Sequence, residues 1–315
     1  MAKFNPIHDI PSLAGKVCLV TGGNSGLGEA TIAALAQHNP QKVYLAARSK
    51  SKAEAAMQRI KASSPAARSA NIEFLEMDLS SFASIKAAAA RVNRETPRLD
   101  TVHLNGGLAM VPHGTTKEGY ELQFGTNFLG HALLTQLLLP KLLETAALPG
   151  SDVRVVSISS ATHKVFAPKE GIVFDQLHSP MEKFGGPALY AQSMLAKIVF
   201  ARELAKRYPQ IVFASVHPGG VKSNAYSGDK NVNWFFMNLV LRPMVALHGV
   251  STEEGAKTQL WCSFSKDVVS GTYYEPIGLT GKESALSKDS QLRSKLWSWT
   301  DKELLAAGEP GWPKA

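Results

Sequence analysis

The stretch KVCLVTGGNSGLG, residues 16–28, decides the fold. Its first half, KVCLVT (16–21), is an apolar, β-branched run that reads as a buried strand. Its second half, TGGNSGLG (21–28), places Gly22, Gly26 and Gly28 where a strand hands over to a helix. Glycine at these positions allows a tight turn, close approach of the backbone to a pyrophosphate, and close helix–strand packing. The helix N-terminus offers unpaired N–H groups and the positive end of a dipole to a phosphate. Asn24, Ser25 and Leu27 share the turn and join the cofactor-binding candidates. Glycines also serve plain turns. The strand before this one and the helix after it favour a dinucleotide site.

Outward from this unit the same alternation repeats. A helical pattern covers 25–38, a strand KVYLAA (42–47), a helix 52–62, a strand NIEFLEM (71–77) and a helix 84–95. Then come a strand LDTVHLN (99–105), a long helical stretch 117–146, a strand DVRVVSIS (152–159), a helix 188–207 and a strand IVFASVH (211–217). A further helix starts near Thr252, and 288–307 reads as a C-terminal helix. The expectation is an α/β fold: one domain over 1–315, a doubly wound parallel sheet of Rossmann type, helices on both faces. Ligands on such sheets bind beyond the carboxyl ends of the strands.

Composition sets outer bounds. The chain has 315 residues, 44% of them hydrophobic, with a formal charge of +8. Scattered Lys and Arg without a stacking motif argue against nucleic-acid binding; the charge is a solvated surface or an attraction for a phosphate-bearing ligand. Cys18 and Cys262 sit in apolar runs and read as buried thiols, which points to a reducing, cytoplasmic compartment. The first 16 residues show no apolar signal segment, and the longest apolar run, WFFMNLVLRPMVAL (234–247), is too short to span a bilayer. No cluster has metal-ligand spacing.

The strand ends carry the chemistry. After the second strand, AARSKSK (46–52) has Arg48 where an NAD site usually has a carboxylate, so NADP(H) with its 2′-phosphate is the expected cofactor. The plainer alternative is an exposed charge. Asp78 and Leu79 follow the third strand, suited to an adenine amino group and ring edge, or, for Asp78, to a helix cap.

Together these residues resemble the short-chain dehydrogenase/reductase family, over nearly the whole chain. TGGNSGLG, Asp78-Leu79, Asn105 in LNGG with Gly106 and Gly107, Asn127 in TNFLGH, Ser160 in SISS, Tyr190 in YAQSM and HPGGVKS (217–223) match in order. The retinol-dehydrogenase-like and WW-domain-oxidoreductase-like branch is the nearest in style, and EGYELQFGTNFLGHALLTQLLLP, FARELAKRY and KLWSWTDKEL are similar to filamentous-fungal members. The resemblance implies that Tyr190 protonates a carbonyl oxygen, that Ser160 holds it, and that Asn127 anchors a proton relay. It also implies that Pro218, Gly219, Val221 and Ser223 embrace the nicotinamide.

The chain departs from the family at one place above all. Four residues after Tyr190, where the family has a lysine that lowers the tyrosine pKa and holds the nicotinamide ribose, stands Met194. Methionine is uncharged and only a weak acceptor. Three readings stay open: lost redox turnover, another group supplying the cation, or a deliberate substitution. Lys197, seven residues after Tyr190, is about 20° off its face and roughly 10 Å along the axis. It is either the substitute cation or a solvated surface lysine. Lys164 and Lys222 are weaker candidates. Gly106 for the usual alanine and Phe128 after Asn127 are milder changes. His163 and His217 lie on site loops as hydrogen-bonders or substrate contacts.

The segment 224–250 reads as the family's substrate lid, and its Trp234, Phe235, Phe236, Met237, Leu239, Leu241 and Met244 imply a bulky apolar substrate. Core packing and shallow membrane attachment are its other uses. The leading functional expectation is an NADP(H)-dependent reductase or dehydrogenase acting on the carbonyl or alcohol of a bulky apolar molecule, such as a secondary metabolite. A non-redox enzyme on the same scaffold and a catalytically silent NADP-binding protein are the alternatives. The sequence is compatible with a homodimer.

Overall fold

A computed structural model describes residues 3–222 and 249–314. Seven strands form one sheet, all pairs parallel, in the order β3-β2-β1-β4-β5-β6-β7. In chain order the chain runs α1 (Pro6–Asp9), β1 (Val17–Thr21), α2 (Gly26–Leu35), β2 (Lys42–Ala47), α3 (Lys50–Ser63), α4 (Pro65–Arg68), β3 (Ile72–Glu76) and α5 (Phe82–Glu95). It continues with β4 (Thr101–Leu104), α6 (Leu122–Phe124), a π-helical turn (Gly125–Leu129), α7 (Gly130–Ala146), β5 (Arg154–Ile158), α8 (Gly186–Arg207) and β6 (Val212–Val216). After the undescribed stretch come α9 (Thr252–Phe264), β7 (Tyr273–Tyr274) and α10 (Ser290–Ala306).

The central strands are buried along their whole length, as both-faced parallel strands must be. One apolar layer lies between the sheet and α5, α7, α8 and α10; the other lies between the sheet and α2, α3 and α9. The crossovers diverge between β1 and β4, so the cleft opens where their following loops part.

The doubly wound parallel sheet expected from the sequence is the fold observed. Two details differ. The helix expected from 117 begins at Leu122, because Gly119 takes φ +87° and Thr115 bridges Glu121 in a short antiparallel turn. The Glu121 carboxylate then caps the helix, accepting from the N–H groups of Gln123 (2.9 Å) and Phe124 (2.6 Å). β7 was not expected at all. Ser223 and residues 224–248 of the expected lid lie outside the described residues. Among the described residues, no helix is long and apolar enough to cross a membrane.

Candidate active site

The first loop has the form a phosphate needs. Gly22 and Gly26 take φ of +65° and +57°, a region that only glycine enters freely. Ser25 precedes α2 in extended conformation and makes no side-chain cap, so the first amides of the helix face the cleft without a cap from that residue. A Cβ at Gly26 would meet open space, whereas one at Gly28 would strike the Gly22 carbonyl and come within 2.7 Å of Asn105 Nδ2. Gly28→Ala is therefore expected to destabilise the fold by about 1–3 kcal/mol, the usual cost of overpacking. Thermal unfolding beside the parent protein measures it; an unchanged melting temperature would show the loop to be loose.

The loop after β4 is fastened to the first. Asn105 Nδ2 donates to the Thr21 carbonyl (2.9 Å), and Gly106 N–H donates to Thr21 Oγ1 (2.7 Å). Asn105 thus builds the cradle. Gly106 is closely packed: a Cβ there would sit 2.9 Å from Leu79 Cδ1 and 3.2 Å from Gly22 N, so three segments meet at it. Gly107, exposed, runs beside Asn127 Oδ1. Asp78 does not cap α5; Ser81 does. Asp78 Oδ1 instead accepts from Ser80 N–H (3.0 Å) and Ser80 Oγ–H (2.7 Å). Arg48 stands exposed directly after β2, in no ion pair among the described residues. Beyond β6, Pro218 is buried and Gly219 takes φ +87°. Val221 pairs with Val250, and a Cβ on Gly255 would meet both Val221 and Leu27. This segment therefore returns to the glycine loop from the other side. Ser223 lies outside the described residues.

Helix α8 and the π-turn assemble the remaining candidates. Tyr190 is half-buried, and Met194, one turn later, is 4% exposed. Ser159 Oγ–H donates to the Met194 carbonyl (2.9 Å), which fastens the end of β5 to α8 beside Tyr190. Ser160 Oγ accepts from Thr162 N–H (3.3 Å), a contact that leaves its hydroxyl hydrogen available as a donor. Asn127, fully buried in the π-turn, clasps both backbone groups of Leu108: Oδ1 accepts from N–H (2.7 Å) and Nδ2 donates to the carbonyl (2.8 Å). Its Nδ2 also donates to Ser193 Oγ (3.0 Å), and Ser193 Oγ–H donates to the Tyr190 carbonyl (2.7 Å). π-turns of this kind concentrate at functional sites.

Several residues of this network were not singled out from sequence. His131 Nδ1 lies 2.8 Å from the Asn127 carbonyl and Nε2 lies 2.9 Å from Thr21 Oγ1. A carbonyl only accepts, so Nδ1 carries the proton and Nε2 accepts from the Thr21 hydroxyl. Burial, with the neighbouring Lys197 charge second, holds this ring neutral, its pKa well below the ordinary histidine value. His131 follows Asn127 by four residues, so helical spacing was the available signal; Ser193 follows Tyr190 by three. His163 is structural: Nδ1 meets the Ser160 carbonyl (2.6 Å) and Nε2 accepts from Ser284 N–H (3.2 Å). His217 is held mostly out of solvent, and burial lowers its pKa to about 4. Lys164 pairs with Glu275 (2.6 Å). Lys197 is not a surface lysine. It is 4% exposed and its Nζ donates to the Leu104 carbonyl (3.0 Å). Among the described residues no group of acidic, histidine or cysteine side chains could hold a metal ion.

The sheet order and the glycine loop define a doubly wound α/β fold of the dinucleotide-binding type. The short chain dehydrogenase family pattern matches residues 16–171. The chain is 37% identical over 310 residues to the short-chain dehydrogenase/reductase drtF of Aspergillus calidoustus, covering 94% of this chain and 95% of that one. It is 32% identical over 308 residues to retinol dehydrogenase 13 of Mus musculus, covering 95% and 88%. A solved structure of a Mycobacterium paratuberculosis protein superposes with a TM-score of 0.71 at 27% identity, covering 94% and 96%. The chain belongs to the short-chain dehydrogenase/reductase family, a family of oxidoreductases with a nicotinamide-dinucleotide-binding fold.

Proposed function

We propose that the protein is an NADP(H)-dependent reductase or dehydrogenase of a bulky apolar carbonyl or alcohol, a secondary metabolite in class, working in the cytoplasm. The observation that carries the reading is the fastening of Ser159–Ser160 to α8 at Met194, which sets the serine loop against the helix bearing Tyr190. The uncapped start of α2 and its positive-φ glycines fit a pyrophosphate. A bound nicotinamide would supply or accept the hydride. Tyr190 gives its hydroxyl proton to the substrate oxygen, Ser160 holds that oxygen by a hydrogen bond, and Asn127 keeps the helix in register beneath them. Val165 and Phe166, five and six residues after Ser160, expose 72% and 37% of their surface, which supports an apolar substrate. Similarity to a retinol dehydrogenase accords with it, retinol being a long apolar alcohol. Two buried free thiols accord with a reducing compartment.

Arg48 supports the choice of NADP(H). Arg48→Asp is expected to weaken NADPH binding by about 1.5–3 kcal/mol, the range for a charge-assisted hydrogen bond, and to leave NADH without a comparable loss. Calorimetric titration of both cofactors checks it, and equal losses would reject the assignment.

Met194 favours a second reading, a non-redox acid–base enzyme on the same scaffold, since the position one turn after Tyr190 carries no charge. NADPH consumption over a panel of apolar ketones tests the first reading. Product formation without net change in the cofactor would support the second.

A further inference from the structure

Lys197 is the one cation that α8 buries on the site's side of the helix, and its surroundings assign it a task. It lines a cavity of about 20 Å³, too small for any organic ligand. Of the other residues lining that cavity, from β4, β5, β6, the π-turn, α7 and α8, only His131 is titratable, and burial holds it neutral. A buried ammonium is expensive, and an apolar side chain of similar length would cost far less. Burial lowers its pKa to about 7.

The ammonium contacts the backbone of the cofactor cradle. Nζ donates to the carbonyl of Leu104, which ends β4 and precedes Asn105, Gly106 and Gly107. Asn105 and Gly106 are hydrogen-bonded in turn to Thr21, and their atoms lie against Gly22 and Gly28. An unbroken run of short contacts therefore joins Lys197 to the glycine loop. The same Thr21 hydroxyl leads through His131 to Asn127 and on to Ser193 and Tyr190. Meanwhile Met194 brings no charge to the cleft, and Lys164 is neutralised by Glu275.

We propose that Lys197 is a positioning residue of the cofactor cradle, holding the Leu104–Gly107 loop from beneath and taking up a proton when the anionic dinucleotide binds. The inference rests on the NADP(H) reading above. The linkage has a definite sign. Negative charge in the cleft favours the ammonium, so the lysine ionises at higher pH in the complex than in the free protein. Affinity is then greatest below the free-protein value and falls as pH rises through it.

The test is calorimetric titration of the whole protein with NADP⁺ in buffers of different ionisation enthalpy, from pH 6.5 to 9. The 2′-phosphate itself titrates near 6, so the readout is the difference between parent and variant. Lys197→Met removes the charge. Lys197→Gln removes the charge but keeps a donor for the Leu104 carbonyl, and it reports the same difference should Lys197→Met fold poorly. If binding moves the lysine by about one pH unit, the parent takes up roughly half a proton more than either variant near pH 7.5. Its affinity also declines up to about tenfold more steeply across the range. Equal uptake in parent and variants, with binding intact, overturns the proposal alone and leaves Lys197 a packing residue. No binding of NADP⁺ or NAD⁺ to the parent protein overturns the cofactor reading and the proposal with it.

Discussion

Replacing Tyr190 by phenylalanine is expected to lower NADPH-dependent ketone reduction by about 10²–10⁴-fold, the usual contribution of a positioned general acid, while NADPH affinity changes little. The argument is local. Phenylalanine keeps the ring and the helix and deletes only the hydroxyl that would protonate the developing alkoxide. The backbone carbonyl of residue 190 still accepts from Ser193, so the Asn127 clasp survives the substitution. Met194 shapes the direction of the effect. A phenol is protonated at neutral pH and can donate without help, whereas oxidation needs the phenolate, which a neighbouring cation would favour. Reduction should therefore dominate in the parent protein and be the reaction the substitution removes. Initial rates over a panel of apolar ketones give the measurement. Undiminished reduction in Tyr190→Phe would mean that another group delivers the proton.

Much of this site could be read from the chain because its parts are local. The glycine turn, the strand ends and the spacing between Tyr190 and Met194 are properties of short segments, and six of seven strands follow from β-branched runs. What escaped was made by contacts distant in sequence. Tyr273–Tyr274 is too short to show a period and becomes a strand only by pairing with β6. Thr21 and His131 are 110 residues apart, and only the assembled sheet brings them to 2.9 Å. Asp78 was open between an adenine contact and a helix cap; Ser81, three residues nearer the helix, holds the cap position. Lys197 looked equally suited to solvent, because a lysine in a helix usually snorkels outward; the geometry of α8 against β4 and α7 turns it inward.

The buried histidines give the fold an acid limit. Going from pH 7.5 to 5.5 is expected to remove about 2 kcal/mol of stability or more. Burial lowers His103 to about 3 and His217 to about 4, and holds His131 well below its usual value. Each stays neutral in the folded protein and becomes charged in the unfolded chain below about 6.5. Their contribution is thus complete above that value and is lost as pH falls. At pH 5.5 His103 and His217 each cost about 1.4 kcal/mol relative to neutral pH, and His131 acts in the same direction. Lys197, lowered to about 7 by burial, adds somewhat under 1 kcal/mol in the same direction. Glu121 opposes them. Burial raises its carboxyl to about 7 despite two amide donors, so its protonation below that value favours the folded state and returns about 2 kcal/mol. The net loss is a large share of a typical stability of 5–15 kcal/mol. Urea unfolding across this pH range measures it. His103 offers a clean control, since its Nδ1 is buried without a partner among the described residues and its Nε2 is 3.4 Å from Ser263 Oγ. His103→Leu should flatten the acid slope by the share of one histidine, about 1.4 kcal/mol over the interval. An unchanged slope would place the proton uptake elsewhere.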